Sequence, residues 1–222
     1  MSSQQAQATP ESLQKEWWLR VVMVLQSPAG VFRALRDDSD EAASARQEPV
    51  LLLVLLAGIA VVLSFSATAG EFLNDPAVDW LLVAVLAFLG GGMYGFAGYW
   101  LGGVALMMGV RGAKGESSYR QARHVLAYAL APLALSLLVV WPIRLAVFGG
   151  DSFRTGGADE GTGELAFSIV SYAFAAWSVL LLTIGVREVH GWTTIRAIGA
   201  VLLTVMALLG LAILALVIGR GA

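Results

Sequence analysis

The sequence predicts an all-α membrane protein: a polytopic helical bundle of five transmembrane helices, preceded by an N-terminal interfacial amphipathic helix. Five apolar stretches carry this prediction, because each has about the 20 residues that an α-helix needs to cross a bilayer. Composition agrees, with 58% hydrophobic and 14% charged residues, whereas soluble domains carry about 25% charged residues. The stretches are too long and too uniformly apolar to be core helices of a soluble protein.

The predicted membrane domain covers residues 50–218. Its spans are expected at about 50–69, 80–108, 122–148, 165–186 and 197–218. The second span exceeds the length that an average bilayer needs, so we expect it to tilt or to project beyond the membrane. Pro132 and Pro142 lie inside the third span and are expected to kink it.

The segment before the first span predicts short helices on the membrane surface. Residues 1–11 are polar and predict a disordered tail without the apolar region of a signal peptide. Residues 12–49 predict amphipathic or interfacial helices, because the apolar part is too short to span the bilayer yet carries two adjacent tryptophans. Ser27 is the expected N-cap of a second short helix, with Pro28 at its first position. The sequence leaves this helix two positions, on the lipid or under the bundle.

Basic residues are distributed unequally between the two ends of the spans. Eleven of the 14 Lys and Arg residues lie before the first span, in the second connection with the helix entry that follows it, and in the fourth connection. Because Lys and Arg accumulate in cytoplasmic loops, we expect a cytoplasmic N-terminus and an outer C-terminus in a plasma or inner membrane. These charges are explained as topology determinants, so a nucleic-acid partner is not expected.

The second span carries a line of small residues. Gly91/Gly95 and Gly98/Gly102 are each a GxxxG pair, which lets another backbone approach closely. Such packing supplies much of the attraction in lipid, where no hydrophobic force drives helices together. The fourth span offers a matching line: Ser171, Ala175 and Ser178. We predict that these two helices touch; a homodimer seam or a hinge at the glycines is the alternative.

No catalytic, metal or cofactor site is predicted. Proton relays and ion-coupled transporters need an ionisable residue at mid-span, and no Asp, Glu or His occupies such a position. His124 and His190 lie near the ends of spans without the spacing of a zinc site. Cysteine is absent, and no serine lies in a GxSxG motif. We therefore expect a protein that is not an enzyme and that needs no cofactor.

The connection between the fourth and fifth spans is the least generic part of the chain. Gly191 is the expected stop of the fourth helix, with Arg187 and His190 in its last turn, where cations complement the helix dipole. Thr193 or Thr194 would cap the next helix. These residues predict a tight helical hairpin at the cytoplasmic surface.

Several of these positions form an ordered set of short motifs. They are Ser27-Pro28 with Phe32, Ser118-Tyr119-Arg120-Gln121, Tyr128-Ala129 with Pro132, and Trp177, Gly185, His190-Gly191 and Arg196-Ala197. In this set the chain resembles prokaryotic members of the Yip-domain family, whose eukaryotic members interact with Rab GTPases. The resemblance implies five spans and a cytoplasmic N-terminus. The Asp-Leu-Tyr-Gly-Pro-type motif of the eukaryotic members is absent, so the resemblance does not extend to Rab binding.

The polar residues at the cytoplasmic side of an otherwise inert bundle predict a scaffold or adaptor that engages a protein partner there. The candidate contact residues are Ser27, Pro28, Phe32, Arg120, Arg123, Arg187, His190 and Arg196. The alternative is a passive permease or lipid-handling protein, opened by the glycines of the second span and the prolines of the third. A cavity lined by four tyrosines would favour that alternative: Tyr94, Tyr99, Tyr128 and Tyr172.

Overall fold

The computed structural model describes residues 10–65, 79–153 and 161–221. In this part the helices are α1 (Pro10–Gln26), α2 (Pro28–Ala34), α3 (Asp40–Ala45), α4 (Gln47–Phe65), α5 (Trp80–Gly112), α6 (Tyr119–Ala129), α7 (Ala131–Phe148), α8 (Thr162–His190) and α9 (Thr194–Gly221), with a 3-10 turn at Gly149–Phe153. The tail predicted at residues 1–11 lies almost entirely outside the described residues, as do residues 66–69 of the first predicted span.

Five segments of the described chain are long and apolar enough to cross a bilayer. They are Gln47–Ser64, Leu81–Gly112, Tyr119–Ser152, Thr162–His190 and Thr194–Gly219. Large apolar side chains cover their outer surface and are left exposed by the protein itself, as expected of helices whose solvent is lipid. The prediction of an all-α bundle with five spans is confirmed.

The spans pack as a closed ring in the order α4, α5, α9, α8 and α7. The third span is split between α6 and α7, and α6 contacts α4, α5 and α8. It therefore lies inside the ring at one end of the bundle. His124, Val125 and Tyr128 of α6 are accordingly almost completely buried.

A break at Leu130 divides the third span. Leu130 lies between α6 and α7, and Pro132 lies in the first turn of α7, where the missing N–H of proline leaves no helical hydrogen bond unmade. The helix is thus interrupted two residues before Pro132, one of the two prolines at which a kink was predicted. Pro142 lies inside α7, which continues past it to Phe148.

The backbones of α4 and α5 approach each other at three glycines. A Cβ added at Gly91 would lie 2.5 Å from the Ile59 Cα, and one at Gly58 would overlap the Gly91 carbonyl oxygen. A Cβ at Gly95 would overlap the Val54 carbonyl oxygen. The first GxxxG pair is therefore a helix-packing site, as predicted, but its partner is the first span.

The prediction that the second span packs against the fourth is wrong. The second span, α5, packs on α4, α6 and α9, whereas α8 packs on α2, α6, α7 and α9. Gly102 meets the Leu126 side chain of α6, but an added Cβ at Gly98 would have no described atom within 4 Å. On the fourth span, the predicted packing residues are buried or half-buried: Ser171, Ala175 and Ser178. Residue spacing shows which face permits close approach, but the partner depends on how the ring closes.

The N-terminal helices dock on the bundle. Ser27 is the N-cap of α2 with Pro28 following it, as predicted, although its side chain makes no capping hydrogen bond. Phe32 is fully buried, and its ring lies against Gly185 of α8, 2.8 Å from where a Cβ would stand. Of the two positions left open by the sequence, α2 takes the one under the bundle.

Helix α1 has two apolar faces. Trp17 and Val24 face the protein, and the Trp17 ring lies 5.8 Å from that of Tyr128. On the other face four large side chains are exposed: Trp18, Leu19, Val22 and Met23. Because α1 packs on α7 and α4, this outer face is exposed beside membrane-spanning helices. The arrangement agrees with an interfacial helix.

The glycine contacts predict different effects of alanine at neighbouring positions of α5. We expect Gly91→Ala and Gly95→Ala each to destabilise the protein by about 1–3 kcal/mol, because the added methyl group overlaps the α4 backbone. Thermal unfolding of the detergent-purified chain measures this. Gly98→Ala is the matched control and should be neutral or slightly stabilising, since alanine favours the helix. Equal destabilisation by all three variants would contradict the packing described.

Candidate functional site

The N-terminal helices and two interhelical connections lie together at one end of the bundle. We call this end the basic face: α1–α3, the first turns of α6, the 113–118 connection and the turn at residues 191–193 with the adjoining helix ends. Hydrogen bonds between these segments hold the face together. All the contact residues predicted from the sequence are therefore brought to one surface or directly beneath it.

A fully buried arginine lies at the centre of the basic face. Arg46, with 0% of its surface exposed, donates from Nε to His124 Nδ1 over 2.7 Å. It also donates to the Asp37 carbonyl oxygen at 2.7 Å and to Asp38 Oδ1 at 3.0 Å. Burial lowers the pKa of the Arg46 guanidinium, while the Asp38 carboxylate acts in the opposite direction. The side chain stays charged, because arginine does not deprotonate in proteins.

The hydrogen bond from Arg46 determines the state of His124. A ring nitrogen that accepts a hydrogen bond carries no proton, so the His124 imidazole is neutral and holds its proton on Nε2. The histidine is almost completely buried. It therefore serves as an acceptor for the guanidinium rather than as a free base.

Asp38 joins this arginine to the start of α6. Its carboxylate accepts from Arg120 Nε at 3.0 Å and from Ser118 Oγ at 2.6 Å. Arg120 also binds Asp40 and the Asp38 carbonyl oxygen. Ser118 caps α6 at the same time, because its Oγ accepts from Gln121 N at 2.9 Å. One carboxylate thus connects the turn before α3 to Arg46, which lies between α3 and α4, and to α6.

The turn that carries Asp38 is itself held by local hydrogen bonds. The Ser39 N–H donates to Asp37 Oδ1 at 3.0 Å, and this contact holds the pKa of the Asp37 carboxyl below its usual range. Ser39 then caps α3 by accepting from Ala42 N. The carbonyl oxygen of Asp37 is thereby directed to Arg46.

A second set of contacts fastens α2 to the end of α8. Arg33 Nε lies 3.0 Å from Glu188 Oε2, and Arg36 Nε donates to the Glu188 carbonyl oxygen at 2.8 Å. Arg187 binds the other oxygen of the same carboxylate. Glu188 therefore connects the N-terminal segment to α8, as Asp38 connects it to α6.

The predicted helical hairpin between the fourth and fifth spans is present. Gly191 ends α8 with φ 64°, in the left-handed region that suits glycine. Helix α9 begins at Thr194. The Arg196 Cζ atom lies 4.0 Å from the centre of the Trp192 ring. Its Nε donates to the Ala113 carbonyl oxygen at 3.1 Å. The hairpin is thus tied to the connection between the second and third spans.

Most of the predicted contact residues have partners inside the protein. Arg120, Arg187 and Arg196 bind carboxylates or carbonyl oxygens, as described above. The His190 ring contacts Trp192 in a tilted arrangement, with ring centroids 4.7 Å apart. Ser27 is exposed and Pro28 half-buried, but Phe32 lies in the interior and not on a surface that a partner could reach. Arg123 is enclosed by aromatic rings. The basic side chains hold the face together before they contact anything else.

A cleft remains open on the basic face. It has a volume of about 290 Å³ and is lined by Arg111, Gly115, Glu116, Ser117, Ser118 and Gln121. Arg111 and Glu116 are exposed and present opposite charges at its edge. In the described part of the chain, no group of three or more His, Asp or Glu side chains could hold a metal ion.

The buried cluster of Arg46, Asp38 and His124 was not predicted from the sequence, where Arg46 is one of the eleven basic residues that indicate the topology. One signal was available: Arg120 and His124 are four residues apart and share a helix face. Arg120 contacts Asp38, which lies 82 positions earlier in the chain, and His124 contacts Arg46, which lies 78 positions earlier. Nothing in the local pattern specifies these contacts.

Five apolar spans topped by a folded polar face define a multi-pass integral membrane protein. Residues 22–217 match the family model of the Yip1 domain. The chain belongs to the Yip1 domain family, which confirms the resemblance seen in the motifs. Comparison with curated proteins and with solved structures found no match.

The buried cluster predicts that two arginines of the basic face contribute unequally to stability. Arg46→Leu should lower the free energy of unfolding by roughly 3–5 kcal/mol, because it breaks a buried pair and leaves its polar partners unsatisfied. Arg33→Leu is the matched control: the side chain is 60% exposed, and we expect a loss below about 1 kcal/mol. Denaturant titration of the detergent-purified chain measures both. Similar losses would contradict a central role for Arg46.

Proposed function

We propose that this Yip1 domain protein is a non-enzymatic scaffold or adaptor that binds a protein partner through the basic face. The observation that carries the proposal is the pre-organisation of that face. The Arg46–Asp38 and Glu188 contacts hold the N-terminal helices on the bundle. A surface that is already ordered loses little conformational entropy when a partner binds.

The cleft edged by Arg111 and Glu116 is the part of the face that we assign to the partner. Neither side chain has a hydrogen-bond partner within the described residues, in contrast to the arginines that bind Asp38 and Glu188. Their opposite charges favour a partner surface that carries both signs, because complementary charges determine orientation and specificity.

We propose that the basic face lies in the cytoplasm of a cell with the protein in its plasma or inner membrane. The distribution of basic residues supports this orientation. The N-terminus would then be cytoplasmic and the C-terminus outside.

The role without catalysis is supported by the use that the structure makes of its titratable groups. His124 accepts a hydrogen bond from Arg46, and Asp38 and Glu188 are occupied by arginines. These groups are committed to holding helices together, so they are poorly placed to exchange protons with a substrate.

The permease alternative receives no support from the tyrosines that would have lined its path. Tyr94 and Tyr172 are 57% and 64% exposed on the outer surface. Tyr99 and Tyr128 are 2% and 0% exposed inside the bundle. The four side chains therefore do not face a common cavity.

The proposed partner can be captured by a photo-reactive residue at Glu116 in the full-length chain. A crosslinked protein should be recovered reproducibly from this position and not from Glu164, an exposed glutamate at the opposite end of the chain's spans. Adding Arg111→Ala should reduce recovery by up to about fivefold, the effect of losing an exposed ion pair. Recovery of lipid alone from position 116 would refute the proposal.

The proposed orientation is tested with the same two glutamates. The chain contains no cysteine, so Glu116→Cys and Glu164→Cys each create a single reactive thiol. In intact cells an impermeant thiol reagent should label position 164 only, and permeabilised cells should be labelled at both. Labelling of position 116 alone in intact cells would invert the orientation.

A further inference from the structure

Arg123 of α6 lies in a cage of aromatic rings. Its Cζ atom is 4.3 Å from the centre of the Trp100 ring, 4.5 Å from that of Tyr119 and 5.2 Å from that of Tyr99. Gly103 leaves the space for the stem of the arginine, because a Cβ there would overlap Arg123 Cγ. The cage is held partly by the Tyr119 hydroxyl, which donates to the Trp100 carbonyl oxygen at 3.0 Å.

The cage gives the guanidinium no hydrogen-bond acceptor. Within the described residues Arg123 makes no hydrogen bond or ion pair, and its buried Nε has no partner. Arg46 and Arg120, on the same face, bind the Asp38 carboxylate. Stacking on aromatic rings uses the faces of a guanidinium and leaves the N–H groups at its edge free to bind a carboxylate or a phosphate. Arg123 is thus a cation fixed in position by aromatic rings, and the described part of the chain offers it no anion.

The depth of the site follows from the length of α5. Trp100 lies twenty residues after Trp80, where α5 begins, and this separation corresponds to about 30 Å along a helix. That distance equals the thickness of the hydrocarbon core of a bilayer. A hydrocarbon core that begins at the start of this span, next to Trp80, ends near Trp100. This places Trp100 at the boundary between acyl chains and headgroups on the side of the basic face, where tryptophan is enriched.

The surface around the cage is apolar on its outer side. Trp100 is 52% exposed and the adjacent Leu101 57% exposed. A ligand that reaches Arg123 from this side must carry an anionic group together with a hydrocarbon part. Membrane phospholipids have this composition, whereas a soluble phosphate ester has no counterpart for the apolar surface.

We propose that Arg123, framed by Trp100, Tyr119 and Tyr99, binds the phosphate group of an anionic phospholipid in the leaflet beside the basic face. The aromatic rings orient the guanidinium, and its outer N–H groups donate to the phosphate oxygens. The Trp100 ring packs beside the first acyl segments. This site is separate from the cleft at Arg111 and does not depend on the proposed protein partner.

Native mass spectrometry of the full-length chain, titrated in detergent with phosphatidylglycerol, tests the proposal. We expect Arg123→Gln to weaken binding of the tightest lipid by about tenfold or more, the loss of charge-assisted hydrogen bonds. Arg111→Gln is the matched control: it removes an exposed arginine of the same face that has no aromatic cage, and binding should change less than about twofold. Phosphatidylcholine should bind more weakly than phosphatidylglycerol, with a smaller difference between the variants.

Two further variants keep the test decisive if Arg123→Gln folds poorly. Arg123→Lys retains the charge but loses the planar fork of donors, and Trp100→Leu retains the apolar surface but loses one wall of the cage. Each should weaken phosphatidylglycerol binding several-fold in a protein that elutes as a single species. Binding equal to that of Arg111→Gln in these variants would overturn the proposal. Displacement of the lipid by millimolar glycerol 3-phosphate would overturn the assignment to a membrane lipid.

Discussion

The buried charge of Arg46 is the constraint on which the basic face depends. A guanidinium removed from water needs an acceptor for its donors, and here the acceptors come from α6 and from the turn before α3. Three segments must therefore be in place together. The Asp38 carboxylate extends this requirement to Ser118 and Arg120, so the start of the third span is positioned by the N-terminal helices that precede the first.

Two kinds of interaction hold the protein together in two different solvents. Inside the bilayer, α4 and α5 associate through backbone contact at Gly58, Gly91 and Gly95, because lipid provides no hydrophobic force between helices. At the basic face, arginines and carboxylates join elements that are distant in sequence. Close packing needs small residues and no charge. Ion pairs cost less desolvation free energy where water still reaches one partner, as it does at Asp38 and Arg120. The two mechanisms therefore occupy different depths of the molecule.

The individual elements were largely predictable from the chain, and their partners were not. The five spans, the cap at Ser27, the break at Pro132 and the hairpin stop at Gly191 all follow from local composition and backbone preference. The pairing of the second span with the fourth was predicted from matching small residues and is wrong. Several faces of different helices permit close approach equally well, so spacing alone does not select between them.

The sequence by itself determined that the protein crosses a membrane with five helices, and it contained the ordered motifs of the Yip1 domain family. Hydrophobic length and the residues that start or stop helices act locally, so one chain without coordinates reveals them. Only the tertiary structure decided that α2 lies under the bundle, that Arg46 is buried against His124, and that Arg123 lies among aromatic rings with no anionic partner from the described residues. These arrangements arise from contacts between residues far apart in sequence, whose geometry exists only once the ring of helices has closed.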